Sequence, residues 1–315
     1  MTFLFSNRKN PHVSQVRYQI TQETCEYLKF NMWGQLSATY VPGKVAGADE
    51  VRKATAAEMA NRLPSKPFSA LAADYPNSGL DLANFMSGRK FPRDVTTYGL
   101  FINGVHYVGN CQTRFGMYAF CDHMRFASYS VAKSAFAGLA LMWLGQQYGT
   151  SVYGELIRNH VPEYVDGGDW TNVTFANTSD MATGNYISTK EEEDEDEDSP
   201  LEEAFIDAEP YAEKIRDAFA PFLYQATPGT VFVYQSSATF ILTQAMNSYL
   251  QQRQGSGADI FNSIREMVYK RIHLSQGGLT MLRTDNSPAG KPFGGWGLYF
   301  IQDDAAKLGR PLNSC

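Results

Sequence analysis

The sequence predicts an α+β protein, and three stretches carry that expectation. Residues 96–110 read TTYGLFINGVHYVGN, two β-rich runs around Asn103-Gly104. Both central positions of a type I′ hairpin turn want positive φ, which this dipeptide tolerates. Residues 126–149 read FASYSVAKSAFAGLALMWLGQQYG, which opens into the longest uninterrupted apolar segment of the chain. Its apolar centre, residues 135–144, falls short of the roughly 18 apolar residues of a membrane span, so it reads as a core helix. Gly149 suits the left-handed C-cap of that helix. The third stretch, GTVFVYQSSATFIL, passes from a β-like run at 231–234 into a helix through Leu250. There Ala238, Leu242, Ala245 and Met246 recur at helical spacing. The expected architecture is an antiparallel sheet begun by the hairpin at 98–109, flanking helices, and a mainly helical region inserted before the later strands.

The remaining elements follow in chain order. Residues 1–45 are poorly periodic, though Tyr18, Tyr27, Phe30 and Trp33 suggest packing. Asp49 can cap an alanine-rich helix to about Arg62, stopped at Pro64. Residues 64–95 read as extended or looping chain with a helical turn at 80–86. Loops and short helices fill 150–190. Residues 191–198 read EEEDEDED, and the low-complexity stretch 191–200 is expected to be disordered, because like charges repel and apolar groups are absent. A helix restarts near Pro210 and runs to about Leu223. Asp259 can cap another through Arg271. Gly294-Gly295-Trp296-Gly297 precedes a short strand-like run, and Asp303 or Asp304 can cap a last helix.

Bulk properties narrow the function classes. Hydrophobic residues make up 43% of the 315, which is globular composition. Removing the eight acids at 191–198 from the net charge of −6 leaves a body at +2, with no nucleic-acid footprint. Cys25, Cys111, Cys121 and Cys315 show no paired spacing and are expected as free thiols. The N-terminal apolar run is too short for a signal peptide, so a cytoplasmic protein with no membrane partner is expected.

One pattern could do chemistry. Ser130-Val131-Ala132-Lys133 is an S-x-x-K tetrad at the mouth of the apolar helix. A serine hydroxyl needs a base within hydrogen-bond reach and donors for the developing oxyanion. Three residues along a helix bring a lysine onto the serine's face. A buried amine gives up its proton more readily than a solvated one. The tetrad alone reads equally well as an ordinary N-cap, and Ser6-Asn7-Arg8-Lys9 also matches it. Context separates the two, since only Ser130 opens an apolar helix after a hairpin. Tyr234-Gln235-Ser236 supplies a second piece: a tyrosine at a strand-to-helix passage can relay a proton, and Ser236 can hydrogen-bond the lysine or a substrate. Tyr75-Pro76-Asn77 and Tyr186-Ile187-Ser188 fit the same pattern.

Taken in order, FASYSVAKSAFAGLAL, SDMATGNY, PGTVFVYQSSATFIL and GGWGLYFIQDDAAKLG resemble the serine β-lactamase and penicillin-binding-protein superfamily. The likeness is greatest to its class C branch of esterases, D-aminopeptidases and 6-aminohexanoate-dimer hydrolases. It implies a β-lactamase/transpeptidase-like fold, a hydrolase domain over 96–315, and an N-terminal extension with the start of the α/β part over 1–95. It also implies Ser130 as the acylated nucleophile, Lys133 as its base or proton shuttle, and Tyr234 as the partner base. Ser236 stands where most members carry Asn, which favours an esterase or amidase over a β-lactamase. Tyr186 is expected at the substrate pocket wall. The family's third motif, of K-T-G or H-x-G type, is not found after the G-G-x-G-L segment, so the sheet is expected to be incomplete at the C-terminal end. The resemblance implies a small-molecule ester or amide substrate and no metal or cofactor. The competing expectation is an inactive or incomplete homologue acting as a binding or regulatory module. No G-x-S-x-G elbow, P-loop, H-E-x-x-H or dinucleotide fingerprint is present. Cys121-Asp122-His123 are adjacent loop residues and make a poor metal site.

Overall fold

Two units make up the chain, Met1–Met124 and Arg125–Cys315. The computed structural model describes residues 2–3, 12–21, 31–41, 43–81, 95–109, 111–113, 116–118, 120–161, 168–195, 200–220 and 222–312.

In the first unit, β1 (Thr2–Phe3), β2 (His12–Thr21) and β3 (Asn31–Tyr40) form an antiparallel sheet in that order. The β2–β3 register runs from His12↔Tyr40 to Thr21↔Asn31. These ten-residue strands replace the aperiodic segment expected from the sequence. Among the described side chains of β2 and β3, Val16 is buried while Gln15, Gln35, Leu36 and Ser37 are exposed, so burial imposes little of the alternation that announces a strand. Helix α1 (Ala48–Ala60) follows, with Gly47 rather than Asp49 at its N-cap, so Asp49 sits in the first turn and pairs with Arg52. Next come β4 (Ser65–Pro67), a 3₁₀ turn at Phe68–Ala70 and the short α2 (Leu71–Asp74). The expected hairpin is present as β5 (Gly99–Ile102) and β6 (Val105–Val108), with Asn103 at φ 48° and Gly104 at φ 82°. Its sheet is mixed, because β6 also pairs in parallel with β4. Phe68, Leu71 and Tyr107 form a small core behind it. Strands β7 (Gln112–Thr113) and β8 (Gly116–Met117) make a second ribbon. Cys111 and Cys121, expected as thiols, are joined in a disulfide that closes a loop ten residues long. The fold brings their Cα atoms to 5.4 Å, a proximity that sequence spacing does not reveal. Cys25 and Cys315 lie outside the described residues, as does the part of the expected helical turn beyond residue 81.

The second unit carries the large core. It opens with β9 (Phe126–Ala127) and continues through a π-helical turn at Lys133–Gly138 into α3 (Leu139–Tyr148). Helices α4 (Phe175–Ser179), α5 (Pro200–Asp207), α6 (Tyr211–Phe219), α7 (Ser236–Gln254) and α8 (Ile260–Ile264) follow. Strand β10 (Tyr299–Phe300) pairs antiparallel with β9, and α9 (Gln302–Leu312) comes last. Helix α7 is buried on every side along most of its length, the mark of a central core helix. Around it pack Phe136, Trp143 and Leu144 from the Ser130 side, Phe175 from α4, Ile215 and Phe219 from α6, and Phe261 from α8.

Local chemistry explains the ends. Pro210 is the N-cap of α6, close to the start foreseen, but α6 ends at Phe219 instead of about Leu223; Ala220 still has right-handed helical angles, and the proline next in sequence has no N–H to extend the helical bonding. Asp259 caps α8 by accepting from the Asn262 N–H at 2.8 Å. Asp304 accepts from the Ile301 N–H at 3.1 Å. Gly149 has φ 91° and ψ 161°, a glycine-only extended conformation rather than the left-handed cap. The acidic stretch also departs from expectation. Glu193–Glu195 form a 3₁₀ turn in which Asp194 and Glu195 are buried, while 196–199 lie outside the described residues and α5 starts at Pro200. Among the described residues, no helix is long and apolar enough to cross a membrane.

Candidate active site

Ser130 is held where strand turns into helix. Ser128 is tied to the segment before β10 from both sides. Its N–H donates to the Leu298 carbonyl at 2.8 Å, and its Oγ accepts from the Leu298 N–H at 3.2 Å. Tyr129 then takes φ 43°, a left-handed conformation costly for a residue with a Cβ. The Val131 N–H donates to the Ser128 carbonyl at 3.0 Å, closing a tight turn that leaves Ser130 exposed at its tip. Helical bonding begins as the Lys133 N–H donates to the Ser130 carbonyl at 3.0 Å.

The Ser130 hydroxyl faces the lysine side chain instead of the helix amides. Lys133 Nζ donates to Ser130 Oγ at 2.9 Å and to Ser236 Oγ at 2.7 Å. It also lies over the ring of Tyr234, 4.7 Å from the centroid. The contact Tyr234 makes with the lysine is thus through its ring face. Ser236 is 5% exposed and is the first residue of α7, so the buried central helix fixes the far side of this trio. The near side is fixed by the wide turn at Lys133–Gly138, where the Tyr269 hydroxyl donates to the Ala135 carbonyl at 2.7 Å. Burial pushes the Tyr269 phenol far above its ordinary range, so it remains a neutral donor.

The glycine pair at 294–295 closes in from a third direction. A Cβ on Gly295 would sit 3.6 Å from the Ser236 carbonyl oxygen and 3.9 Å from Lys133 Cε, ordinary contact distances. Gly294, at φ 84°, has no such room: a Cβ there would meet Thr243 Oγ1 at 2.0 Å.

Of the five residues expected from the sequence, four come together: Ser130, Lys133, Tyr234 and Ser236. Tyr186 is half-buried in a neighbouring strip, where its N–H donates to the Leu223 carbonyl at 3.0 Å and Asn185 bridges Tyr224. That strip connects to the site through Gln235, whose Nε2 donates to the Asn185 carbonyl at 3.0 Å. The rival tetrad at Ser6–Lys9 lies outside the described residues.

Two residues absent from the sequence expectations adjoin the site. Asp194 Oδ2 accepts from Gln235 Nε2 at 2.9 Å, and Glu195 Oε1 accepts from the Ser236 N–H. Asp194 and Glu195 are 3% and 4% exposed. Nothing in a uniform acidic run marks its fourth and fifth members as buried; only the pairing partners distinguish them. Elsewhere Asp122 pairs with Arg62, and Cys121 is in the disulfide. Among the described residues, no cluster of three His, Cys, Asp or Glu is arranged to hold a metal ion.

Comparison with protein-family models and with curated proteins gave no match. Solved structures gave several. The chain is similar to a penicillin binding protein from Bacillus halodurans at 15% identity and a TM-score of 0.48, with 69% of each chain covered. A D-stereospecific amidohydrolase from Streptomyces sp. aligns at 15% identity and a TM-score of 0.42, covering 60% of each chain. A class C beta-lactamase aligns at 14% identity and a TM-score of 0.42, over 66% of this chain and 56% of that one. The chain thus spans less than two thirds of the length of the latter two. The reading of function rests on the site itself.

Proposed function

We propose that the protein is a serine hydrolase that cleaves an ester or amide through an acyl-enzyme on Ser130. One observation carries this reading: a single lysine Nζ lies 2.9 Å from an exposed serine hydroxyl and 2.7 Å from a second, buried one. Such a lysine, as the neutral amine, accepts the Ser130 proton as Oγ attacks the substrate carbonyl carbon. The tetrahedral intermediate collapses by expelling the alcohol or amine, which takes the proton back from Lys133. Water then attacks the acyl carbon, releasing the acid and regenerating the Ser130 hydroxyl. Ser236 orients the amine between the two steps. The face of Tyr234 stabilises the lysine while it is charged. Tyr186 is proposed as a wall of the acyl site rather than a participant.

An esterase or amidase specificity, on a small substrate and with no cofactor, is the finer part of the reading. A panel of activated esters, anilides and β-lactams tests it, read against Ser130→Ala. The expected result is ester or amide turnover that Ser130→Ala abolishes while leaving folding intact. Equal turnover by both proteins removes the proposal. The Cys111–Cys121 disulfide favours an oxidising compartment over the cytoplasmic location expected from the short N-terminal apolar run.

A further inference from the structure

The acidic stretch packs against a motif that lies 41 residues further along the chain. Asp194 spends both carboxylate oxygens on donors: Oδ1 accepts from the Ser188 N–H at 2.9 Å, and Oδ2 accepts from the Ile187 N–H at 3.0 Å and from Gln235 Nε2 at 2.9 Å. Glu195 Oε1 accepts from the Ser236 N–H. Two consecutive carboxylates therefore grip two consecutive residues of Tyr234-Gln235-Ser236. From the other side Lys133 grips Ser236 through its hydroxyl.

Burying carboxylates is costly unless hydrogen bonds offset it, and here three donors converge on Asp194 while the Ser236 N–H donates to Glu195. The Ser236 amide is one of the unbonded donors at the start of α7, and no side chain of the helix's own N-terminal turn caps it. A carboxylate supplied from outside satisfies that donor and sits at the positive end of a long helix. We propose that Asp194 and Glu195 are positioning residues: they latch the Tyr234-Gln235-Ser236 turn so that Ser236 holds Lys133 against Ser130. This inference rests on the hydrolase reading of the site for its effect on rate, but the latch itself is a structural claim. The acidic run is then a device with two parts. Glu191 and Glu192 are exposed, while Asp194 and Glu195 close the latch.

The full-length chain tests it with Glu195→Ala and Glu195→Gln. Two readouts are needed: amide hydrogen exchange at Ser236 by NMR, and steady-state hydrolysis of p-nitrophenyl acetate. A catalytic group displaced by about 1 Å costs on the order of 100-fold in rate. Glu195→Ala is expected to speed Ser236 exchange at least about tenfold and to lower kcat by about 10- to 100-fold. KM should be unchanged, because the buried carboxylate lies behind the turn. Glu195→Gln keeps an oxygen acceptor and should restore kcat to within about threefold, which loss of general stability would not do. If Glu195→Ala does not fold, Glu195→Asp, with the same charge and a shorter reach, takes its place with the same expectations.

Unchanged Ser236 exchange in the Ala or Asp variant overturns the latch. So does a kcat that stays at the wild-type value, or a Gln variant as slow as Ala. If the wild-type protein hydrolyses nothing, the hydrolase reading falls, and the exchange measurement alone then decides whether the latch stands.

Discussion

Replacing Lys133 by Met separates what the lysine does in chemistry from what it does in structure. Met keeps most of the side-chain volume and removes the amine that contacts Ser130 Oγ at 2.9 Å and Ser236 Oγ at 2.7 Å. Loss of a positioned proton acceptor lowers the rate of a proton-coupled step by about 10²- to 10⁴-fold. That corresponds to about 2.7 to 5.5 kcal/mol of barrier. The structural cost is smaller and lies at Ser236, whose buried hydroxyl loses its donor, at about 1 to 3 kcal/mol. Ser130 is exposed and finds water instead. The second substitution Ser236→Ala in the Lys133→Met background should therefore recover most of the stability and none of the rate. Single-turnover acylation by an activated ester, with thermal unfolding measured beside it, reads both quantities. An acylation rate within threefold of wild type in Lys133→Met would refute the assignment of Lys133 as the base. A double variant no more stable than Lys133→Met would refute the account of the buried hydroxyl.

Other expectations follow from the same geometry. Gly294→Ala and Gly295→Ala should differ sharply: the first combines a positive φ with overlap on Thr243, costing about 3 kcal/mol, and lowers Tm, while the second meets only ordinary contacts and leaves Tm within a degree or two. Equal Tm values would show that the 294–295 backbone is misplaced. Tyr269→Phe removes the donor to the Ala135 carbonyl and should destabilise by about 1 to 3 kcal/mol in a denaturant titration, with no change expected if that carbonyl is satisfied otherwise. Burial opposes ionisation of Asp259, but the Arg283 fork, with contacts of 2.8 and 2.9 Å, and the Asn262 N–H outweigh it and hold the carboxyl below the usual aspartate range. A lowered folded-state value means stability that is full above about pH 4 and is lost as pH falls through the folded value. Asp259→Asn should cost about 3 kcal/mol at neutral pH and flatten this acid limb; an unchanged acid limb would assign it to other carboxylates.

Much of the site was legible because short-range chemistry specifies it. Ser130 and Lys133 share a helix face by spacing alone, and Asn103-Gly104 dictates its turn whatever surrounds it. Tyr234 and Ser236 stand out at a strand-to-helix passage, the resemblance supplies their roles, and the burial of α7 explains why Ser236, its first residue, is held in place. The parts that were not legible depend on distant partners. Strands β2 and β3 carry no strict alternation because most of their described side chains face solvent. Cys111 and Cys121 look unpaired until the β7–β8 ribbon brings them together. Asp194 and Glu195 are indistinguishable in composition from the acids beside them. Their burial is caused by Ile187, Ser188, Gln235 and Ser236, up to 41 residues away.

Covalent labelling of Ser130 tests the central claim most directly. The intact protein is treated with a fluorophosphonate, digested, and mapped by peptide mass spectrometry. A single adduct is expected, on Ser130, formed by the wild type, absent from Ser130→Ala and slowed at least about a hundredfold in Lys133→Met. An unlabelled Ser130, under conditions that fully label a serine hydrolase control, would contradict it.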